Sequence, residues 1–316
     1  MRISIIGPGI MPIPPTGWGA VEILIWDYYQ ELKKLGHEVQ IVNTQNPQQI
    51  VDEVNSFNPD FVHLQYDDLY GVMDYIACPN KAATSHFGYL EVPHHLNGNY
   101  QRIFDGFVHG NFKIFCLSEG IKQVYINGGV DPSRLEVTPN GARSDLFNYY
   151  DSPIFPDRSI YLAKITDRKK QYLYQNIDSI YFAGNGDDHR FDYNRSNYLG
   201  EWQKETLYND LSKYSNLVLL SDGEAHPLVC CEALICGLGL VVSEYATGNL
   251  DLSLPFIEVI PNGKLDDIEY IKRQISKNRQ ISNRMRDEIR SYGLNNFDWG
   301  KLISEYVKKL IVNTKL

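Results

Sequence analysis

Short apolar runs alternate with amphipathic segments along this chain, the rhythm fades near residue 146, and it restarts at Ser159. In the first half, Ile3–Ile6, His37–Val42, Asp60–Gln65, Lys81–Ser85, Ile114–Leu117 and Arg134–Thr138 read as strands. Val21–Leu35 reads as a helix, because Val21, Leu24, Ile25, Tyr28 and Leu32 recur at helical spacing and Gly36 follows. Gln48–Phe57 reads as a second helix, and Ser118 suits the N-cap of a third. In the second half, Ser159–Lys164, Ile180–Ala183, Leu217–Leu220 and Leu238–Ser243 read as strands, and a helical tail runs from Asp267. The stretch between Leu146 and Pro156 is rich in Tyr, Asp and Pro and reads as a linker. Strands that alternate with helices require parallel sheets, so the expectation is α/β: two Rossmann-like, doubly wound parallel-sheet domains. A length of 316 residues suffices for two cores.

Composition narrows the function. A net charge of −9 argues against a general affinity for nucleic acid or anionic membrane. No run reaches the roughly 18 apolar residues of a membrane span. The N-terminus reads as a strand and not as a signal peptide. The five cysteines fit neither a disulfide framework nor a zinc site, which predicts buried thiols and a cytoplasmic, reducing setting.

The most informative constellation is Glu224-Ala-His-Pro-Leu-Val-Cys-Cys-Glu232, between two apolar strands. Pro227 suits a first helical turn and Gly237 a helix end, so Glu224 falls in the loop before a helix and Glu232 about one turn inside it. That loop lies at the carboxyl end of a strand, where open α/β sheets bind ligands. The helix start favours a phosphate. Two carboxylates beside an anion site make chemical sense if the ligand also carries hydroxyls, as a nucleotide sugar does.

Lys164 and Lys169, in Ala-Lys164-Ile-Thr-Asp-Arg168-Lys169-Lys170, follow another strand end as exposed cations able to stabilise a departing diphosphate. Arg168 and Lys170 read as surface. The loop Pro14-Pro-Thr-Gly17-Trp18-Gly19 precedes the first helix and can approach a phosphate, or can simply be a turn. Gly7-Pro8-Gly9 is a poor dinucleotide fingerprint: Pro12 takes the third glycine's place, and the next strand ends in Asn43 where an acidic residue belongs. His86 ends a strand and can bond a sugar hydroxyl, whereas His63 sits mid-strand as a structural histidine. His94, His95 and the Asp67-Asp68 pair make weak metal ligands, and no metal is expected.

Taken in order, these segments resemble retaining glycosyltransferases of the GT-B fold, in the large family four that includes glycogen-synthase-like enzymes. The resemblance rests on Gly17-Trp-Gly-Ala-Val-Glu22, Leu35-Gly-His-Glu-Val39, Ser118-Glu119, Val137-Thr-Pro-Asn-Gly141, Lys164 with Lys169, Gly184-Asn-Gly186, the Glu224–Glu232 spacing and Phe297-Asp-Trp299. Lys164 stands where the family usually has Arg. The resemblance implies an N-terminal acceptor-side domain over residues 1–147, a donor domain over 148–296, an interdomain cleft, and a final helix at 297–316 that packs back on the first domain. It implies that Glu232 binds ribose, Glu224 and His86 the donor sugar, and the amides of Leu228, Val229 and Cys230 sugar and phosphate. Lys164 and Lys169 would bind the diphosphate, helped by Gly17, Trp18 and Gly19 and by the Gly184–Gly186 turn. Transfer to a hydroxyl acceptor would retain anomeric configuration without a metal or other cofactor. Tyr89, Trp18 and His94 are candidates for the acceptor surface. A nucleotide-sugar epimerase of the same architecture and a non-catalytic nucleotide-sugar-binding module are the alternatives.

Overall fold

The structure, a computed structural model, describes residues 1–16, 19–88 and 90–313. It divides into two compact units, Met1–Asn140 joined by the chain from Trp299 onward, and Gly141–Asp298.

The first unit runs β1 (Arg2–Ile6), α1 (Ala20–Lys34), β2 (Glu38–Val42), α2 (Pro47–Phe57), β3 (Phe61–Leu64), β4 (Lys81–Ala83), α3 (Gly98–His109), β5 (Lys113–Cys116), α4 (Glu119–Asn127) and β6 (Leu135–Val137). Its six strands lie in the order β2-β1-β3-β4-β5-β6, and all pair in parallel. The second unit runs β7 (Phe155–Leu162), α5 (Gln171–Tyr174), β8 (Ile180–Ala183), α6 (Lys204–Asp210), β9 (Tyr214–Leu219), α7 (Leu228–Ile235), β10 (Gly239–Ser243), β11 (Ile257–Ile260), α8 (Ile268–Arg284) and α9 (Arg286–Phe297). Its five strands, also parallel, lie in the order β11-β10-β9-β7-β8. The last helix, α10 (Trp299–Asn313), belongs to the first unit. There Trp299 and Tyr306 meet Tyr28 of α1, with ring centroids 5.0 and 5.1 Å away.

The two sheets repeat one plan. The first strand of each unit lies inside the sheet, flanked on one side by the second strand and on the other by the third. Chain direction across the sheet therefore reverses between β1 and β3, and again between β7 and β9. At such a reversal the loops leaving neighbouring strands diverge to opposite faces and open a crevice at the strands' carboxyl ends.

Local chemistry explains where the elements depart from expectation. β7 begins at Phe155 rather than Ser159. Pro156 cannot donate to the ladder, and the pairing of β7 with β9 shifts register between Phe155 and Ser159, so the apolar rhythm resumes only after the irregularity. Pro227 is the N-cap of α7 rather than a residue of its first turn. The helical tail is three helices, interrupted at Met285 and Asp298, both outside helical geometry. α3, α6 and β11 were not anticipated; α3 buries Ile103, Phe104 and Phe107 on one face. The stretch read as a linker is bound to the second unit instead. Ala142 N donates to Phe297 O at 2.8 Å, and Asn148 N to Tyr208 O at 2.9 Å. The buried Arg286 guanidinium binds the carbonyls of Tyr150, Ser212, Tyr214 and Cys236. No described helix is long and apolar enough to cross a membrane.

Candidate active site

The second unit's reversal point collects the residues with the strongest chemistry. Lys164 to Lys169 leave the end of β7, and Ser221 to Glu224 leave the end of β9. These are the two neighbouring strands at which the sheet order reverses.

Lys169 Nζ and Arg168 Nη1 both face Glu224 Oε1. Lys169 makes a hydrogen-bonded ion pair with it, and Arg168 lies 3.5 Å away. Arg168 Nη1 also donates to the carbonyl of Gly223, and Asp222 N donates to the carbonyl of Arg168 at 2.8 Å. One backbone hydrogen bond, one guanidinium–carbonyl bond and two ion pairs thus lock the loops together. Arg168, read as surface from sequence, is part of this cluster. Lys169 is not the exposed cation expected: its side chain is 13% exposed and that of Glu224 9%. Burial pushes the Glu224 carboxyl up, but Lys169 and then Arg168 oppose this, and the balance leaves it below its ordinary value, ionised. Lys164 stands exposed on the same loop.

Two side chains that the sequence did not mark hold this arrangement. The buried Tyr161 hydroxyl donates to the Lys169 carbonyl and accepts from Leu220 N at 3.1 Å, which ties the cationic turn to the end of β9. The buried Gln171 donates to the Lys164 carbonyl at 2.9 Å. Their signal was faint: one hydroxyl in a strand, and one amide at a helix start.

Glu232 lies in the second turn of α7, partly exposed, with Glu224 in the loop before that helix. Leu228 and Val229 occupy the helix start, where backbone N–H groups lack intrahelical acceptors. Cys230 differs, since its N–H donates to Pro227 O at 3.1 Å and its thiol is buried. All five cysteines are buried thiols outside any disulfide. Burial pushes the Cys116 thiol up to about 12 and raises the thiols of Cys230, Cys231 and Cys236, which removes nucleophilic character. Gly237, at φ 77°, closes the helix, with Leu238 N donating back to Ala233 O at 2.9 Å.

The Gly184–Gly186 turn has a packing reason of its own. A Cβ at Gly184 would stand 2.1 Å from Ala163 O, and one at Gly186 2.2 Å from Ile165 O. These glycines let the ends of β7 and β8 pass close together, with Ile165 N donating to Asn185 O at 2.7 Å.

In the first unit, His86 follows β4 and Gln65 follows β3, at the carboxyl edge of the sheet. His86 Nε2 lies 2.7 Å from Gln65 Oε1. Burial lowers the His86 pKa to about 4, so the ring is neutral at neutral pH. His63 is the satisfied core histidine its mid-strand position suggested, bonded to Tyr306, Thr84 and Gln65. Gly19, at φ 131°, precedes α1. Gly17, Trp18 and Tyr89 lie outside the described residues. Gly9 serves packing: its Cβ would meet the Thr44 backbone at 2.5 Å. Asn43 spans the loop by accepting from Gly9 N and donating to Met11 O, each at 2.8 Å. α1 begins only at Ala20, so the Gly7-Pro8-Gly9 turn has no adjoining helix start for a pyrophosphate.

Two doubly wound parallel-sheet units, with the final helix returned to the first, define the GT-B fold of glycosyltransferases. Solved structures bear out that assignment along the whole chain. HepE of Anabaena, solved in complex with UDP, matches with a TM-score of 0.75 at 13% identity, over 99% of this chain and 100% of its own. A glycosyltransferase involved in avilamycin A biosynthesis matches with a TM-score of 0.72 at 14% identity, over 100% and 98%. The sucrose-phosphate synthase of Thermosynechococcus elongatus matches with a TM-score of 0.70 at 15% identity, over 99% of each chain. No family model and no curated protein matches the sequence.

Proposed function

We propose that this protein is a retaining glycosyltransferase that moves a sugar from a nucleotide-sugar donor, a UDP-sugar, to a hydroxyl acceptor on a carbohydrate or other small molecule. The observation that carries this reading is the buried Lys169–Glu224 pair, joined by Arg168, at the reversal point between β7 and β9. The UDP choice draws support from HepE, which has been solved with UDP and with UDP-glucose.

In this reading Lys169 and Arg168 face the diphosphate, with Lys164 on the same loop. Their positive charge stabilises the negative charge that grows on the leaving group, a field worth on the order of a hundredfold or more in rate per well-placed donor. Glu224 keeps those cations oriented before substrate arrives and offers its carboxylate to sugar hydroxyls once it does. Glu232 takes the ribose hydroxyls, and the amides of Leu228 and Val229 meet the phosphate at the start of α7. The protein cations supply the countercharge, so the reaction proceeds without a metal. The leaving phosphate accepts the acceptor's proton, and the new glycosidic bond forms on the face the nucleotide leaves. The protonated, buried thiols belong to a reducing compartment such as the cytoplasm.

The test is a thermal-shift and calorimetric titration with UDP, GDP, ADP and their sugars, followed by turnover of the donor that binds. UDP-sugars should raise the melting midpoint by mass action. The anomeric proton coupling of the product should match that of the donor. Binding without transfer or slow hydrolysis would leave a binding module, and an inverted product would remove the retaining mechanism.

A further inference from the structure

In the first unit, the connection from β3 to β4 is a 3₁₀ segment, Asp67–Tyr75, of nine residues. Runs beyond about four residues are uncommon in that geometry, so bonds from outside must hold this one. Asn55 of α2 donates to Tyr75 O at 3.2 Å and accepts from Ala77 N at 2.9 Å. Lys81 donates to the carbonyls of Met73 and Ile76. Arg102 of α3 donates to Asp68 Oδ1 at 2.8 Å. At three residues per turn, Leu69, Val72 and Tyr75 stand in one row. Leu69 is half-buried and Val72 buried, but Tyr75 is 73% exposed although its backbone is clamped. The segment touches both α2 and α3. Together they border a groove of about 530 Å³, lined from α2 by Gln48 and Val51, from α3 by Arg102, and floored by the segment itself.

We infer that this groove is a binding site for a neutral saccharide, a short piece of a glycan, and that it shares no residue with the site at the end of β7 and β9. The volume lies within the roughly 300–1,000 Å³ of small-ligand sites. A protein partner needs about 20–30 residues a side, and the groove offers ten among the described residues. Its chemistry narrows the guest further. Asp68 and Arg102 are the charged residues that line it, and they pair with each other, so a phosphate or carboxylate finds no net attraction. A wholly apolar guest would strand Gln48, Asp68 and Arg102 from water. A sugar meets both demands. Its C–H face packs on a tyrosine ring, whose electron-rich face attracts those hydrogens. Its adjacent hydroxyls donate to a carboxylate and accept from a guanidinium at once. The partners are preorganised for this. The Arg102 guanidinium is pinned by Asn99 Oδ1 at 2.9 and 2.8 Å and by Asp68, while Nη1 makes only a 3.4 Å contact with the Tyr70 hydroxyl. The Tyr70 ring lies against α3 at Gly106, where a Cβ would stand 2.3 Å from it.

Gly71 supplies a clean test. It lines the groove, its φ is not in the left-handed region, and an added Cβ would meet nothing within 4 Å. Gly71→Leu therefore fills the groove without disturbing its walls. The full-length protein, labelled with nitrogen-15, is titrated with maltose, cellobiose and lactose while amide shifts are followed. At least one disaccharide should shift Val51, Gly71, Val72 and Tyr75 saturably. Gly71→Leu should abolish those shifts. Tyr75→Ala removes a mostly exposed ring, so it should fold like the parent and bind about fivefold more weakly, the loss of one ring contact. Absence of saturable shifts there with all three sugars overturns the inference, as does unchanged affinity in both variants. Tighter binding of p-cresol than of any disaccharide would make the groove an apolar site and overturn it too. So would sugar-free, concentration-dependent broadening of these amides that Gly71→Leu removes, which marks a contact between copies. The inference does not rest on the nucleotide-sugar reading, and UDP titration keeps the two apart: both variants should bind UDP as the parent does, and a parent that binds no UDP leaves the groove's own result standing.

Discussion

Tyr161 holds Lys169 in place through a hydroxyl that reaches the lysine carbonyl on one side and the Leu220 amide on the other. The cationic turn after β7 is thereby registered against the end of β9, from which Glu224 departs. Tyr161→Phe keeps the ring packing against Phe182, 5.9 Å between centroids, and removes only the oxygen. Leu220 N–H and Lys169 C=O are left buried without that partner, which should cost about 1–3 kcal/mol. Turnover should fall further than UDP affinity does, because the misplaced ammonium matters most as charge develops. Equal losses in both would mean that Tyr161 supports only the fold.

Glu224→Gln tests the ion pair through pH. The carboxyl's folded pKa lies below its ordinary 4.5. A depressed pKa contributes stability that is complete above the unfolded value and is lost as pH falls through the folded one. At pH 7 the variant should be less stable than the parent by about 3 kcal/mol, since Lys169 and Arg168 lose their counter-charge in a mostly buried site. The gap should close below 4.5 as the parent's carboxyl also becomes neutral. Denaturant melts of both proteins over that range decide it, and a gap that stays constant or widens in acid would sink the pairing argument.

Glu232→Ala should separate nucleotide from sugar. The residue is partly exposed on α7, so its loss should change stability little. If it binds ribose, affinity for UDP alone and for UDP-sugar should fall together, by about tenfold for a lost charged hydrogen bond. Isothermal titration with both ligands reads this directly, and an unchanged UDP affinity would remove the ribose role.

These arguments show which parts of the molecule are written locally. The strands at Ile180–Ala183 and around Ile3 and Val62 were legible because a strand buried on both faces must be a near-continuous apolar run. The α7 loop was legible because Pro227 and Gly237 punctuate it. What escaped was carried by distant partners. The stretch between Leu146 and Pro156 looks like a linker until the carbonyl-binding Arg286, far along the chain, is brought to Tyr150. Arg168 is the exposed side chain the sequence suggests, but its bond to Gly223 and its approach to Glu224 come from loops over fifty residues away. Tyr161 carries no motif at all, because a positioning residue is defined by what it touches. Lys170 shows the converse: its φ of 55° belongs to the left-handed region, yet its side chain gives no hint of that.

The Gly184–Gly186 turn allows a controlled comparison of its packing role with backbone conformation. Gly184 and Gly200 both have positive φ, 146° and 75°. A Cβ at Gly200 would meet nothing within 4 Å, whereas one at Gly184 would meet Ala163 O at 2.1 Å. Gly200→Ala should therefore cost only the conformational strain, about 1–2 kcal/mol. Gly184→Ala must add displacement of the β7 end, another 1–3 kcal/mol or so. That displacement would carry Lys164 and the cationic turn with it, so UDP-sugar turnover should fall in Gly184→Ala and persist in Gly200→Ala. Denaturant midpoints and kcat/KM for both variants check this. Equal destabilisation would show that the close approach of the two strand ends is relieved at little cost, and equal activity would uncouple the glycine turn from the site beside it.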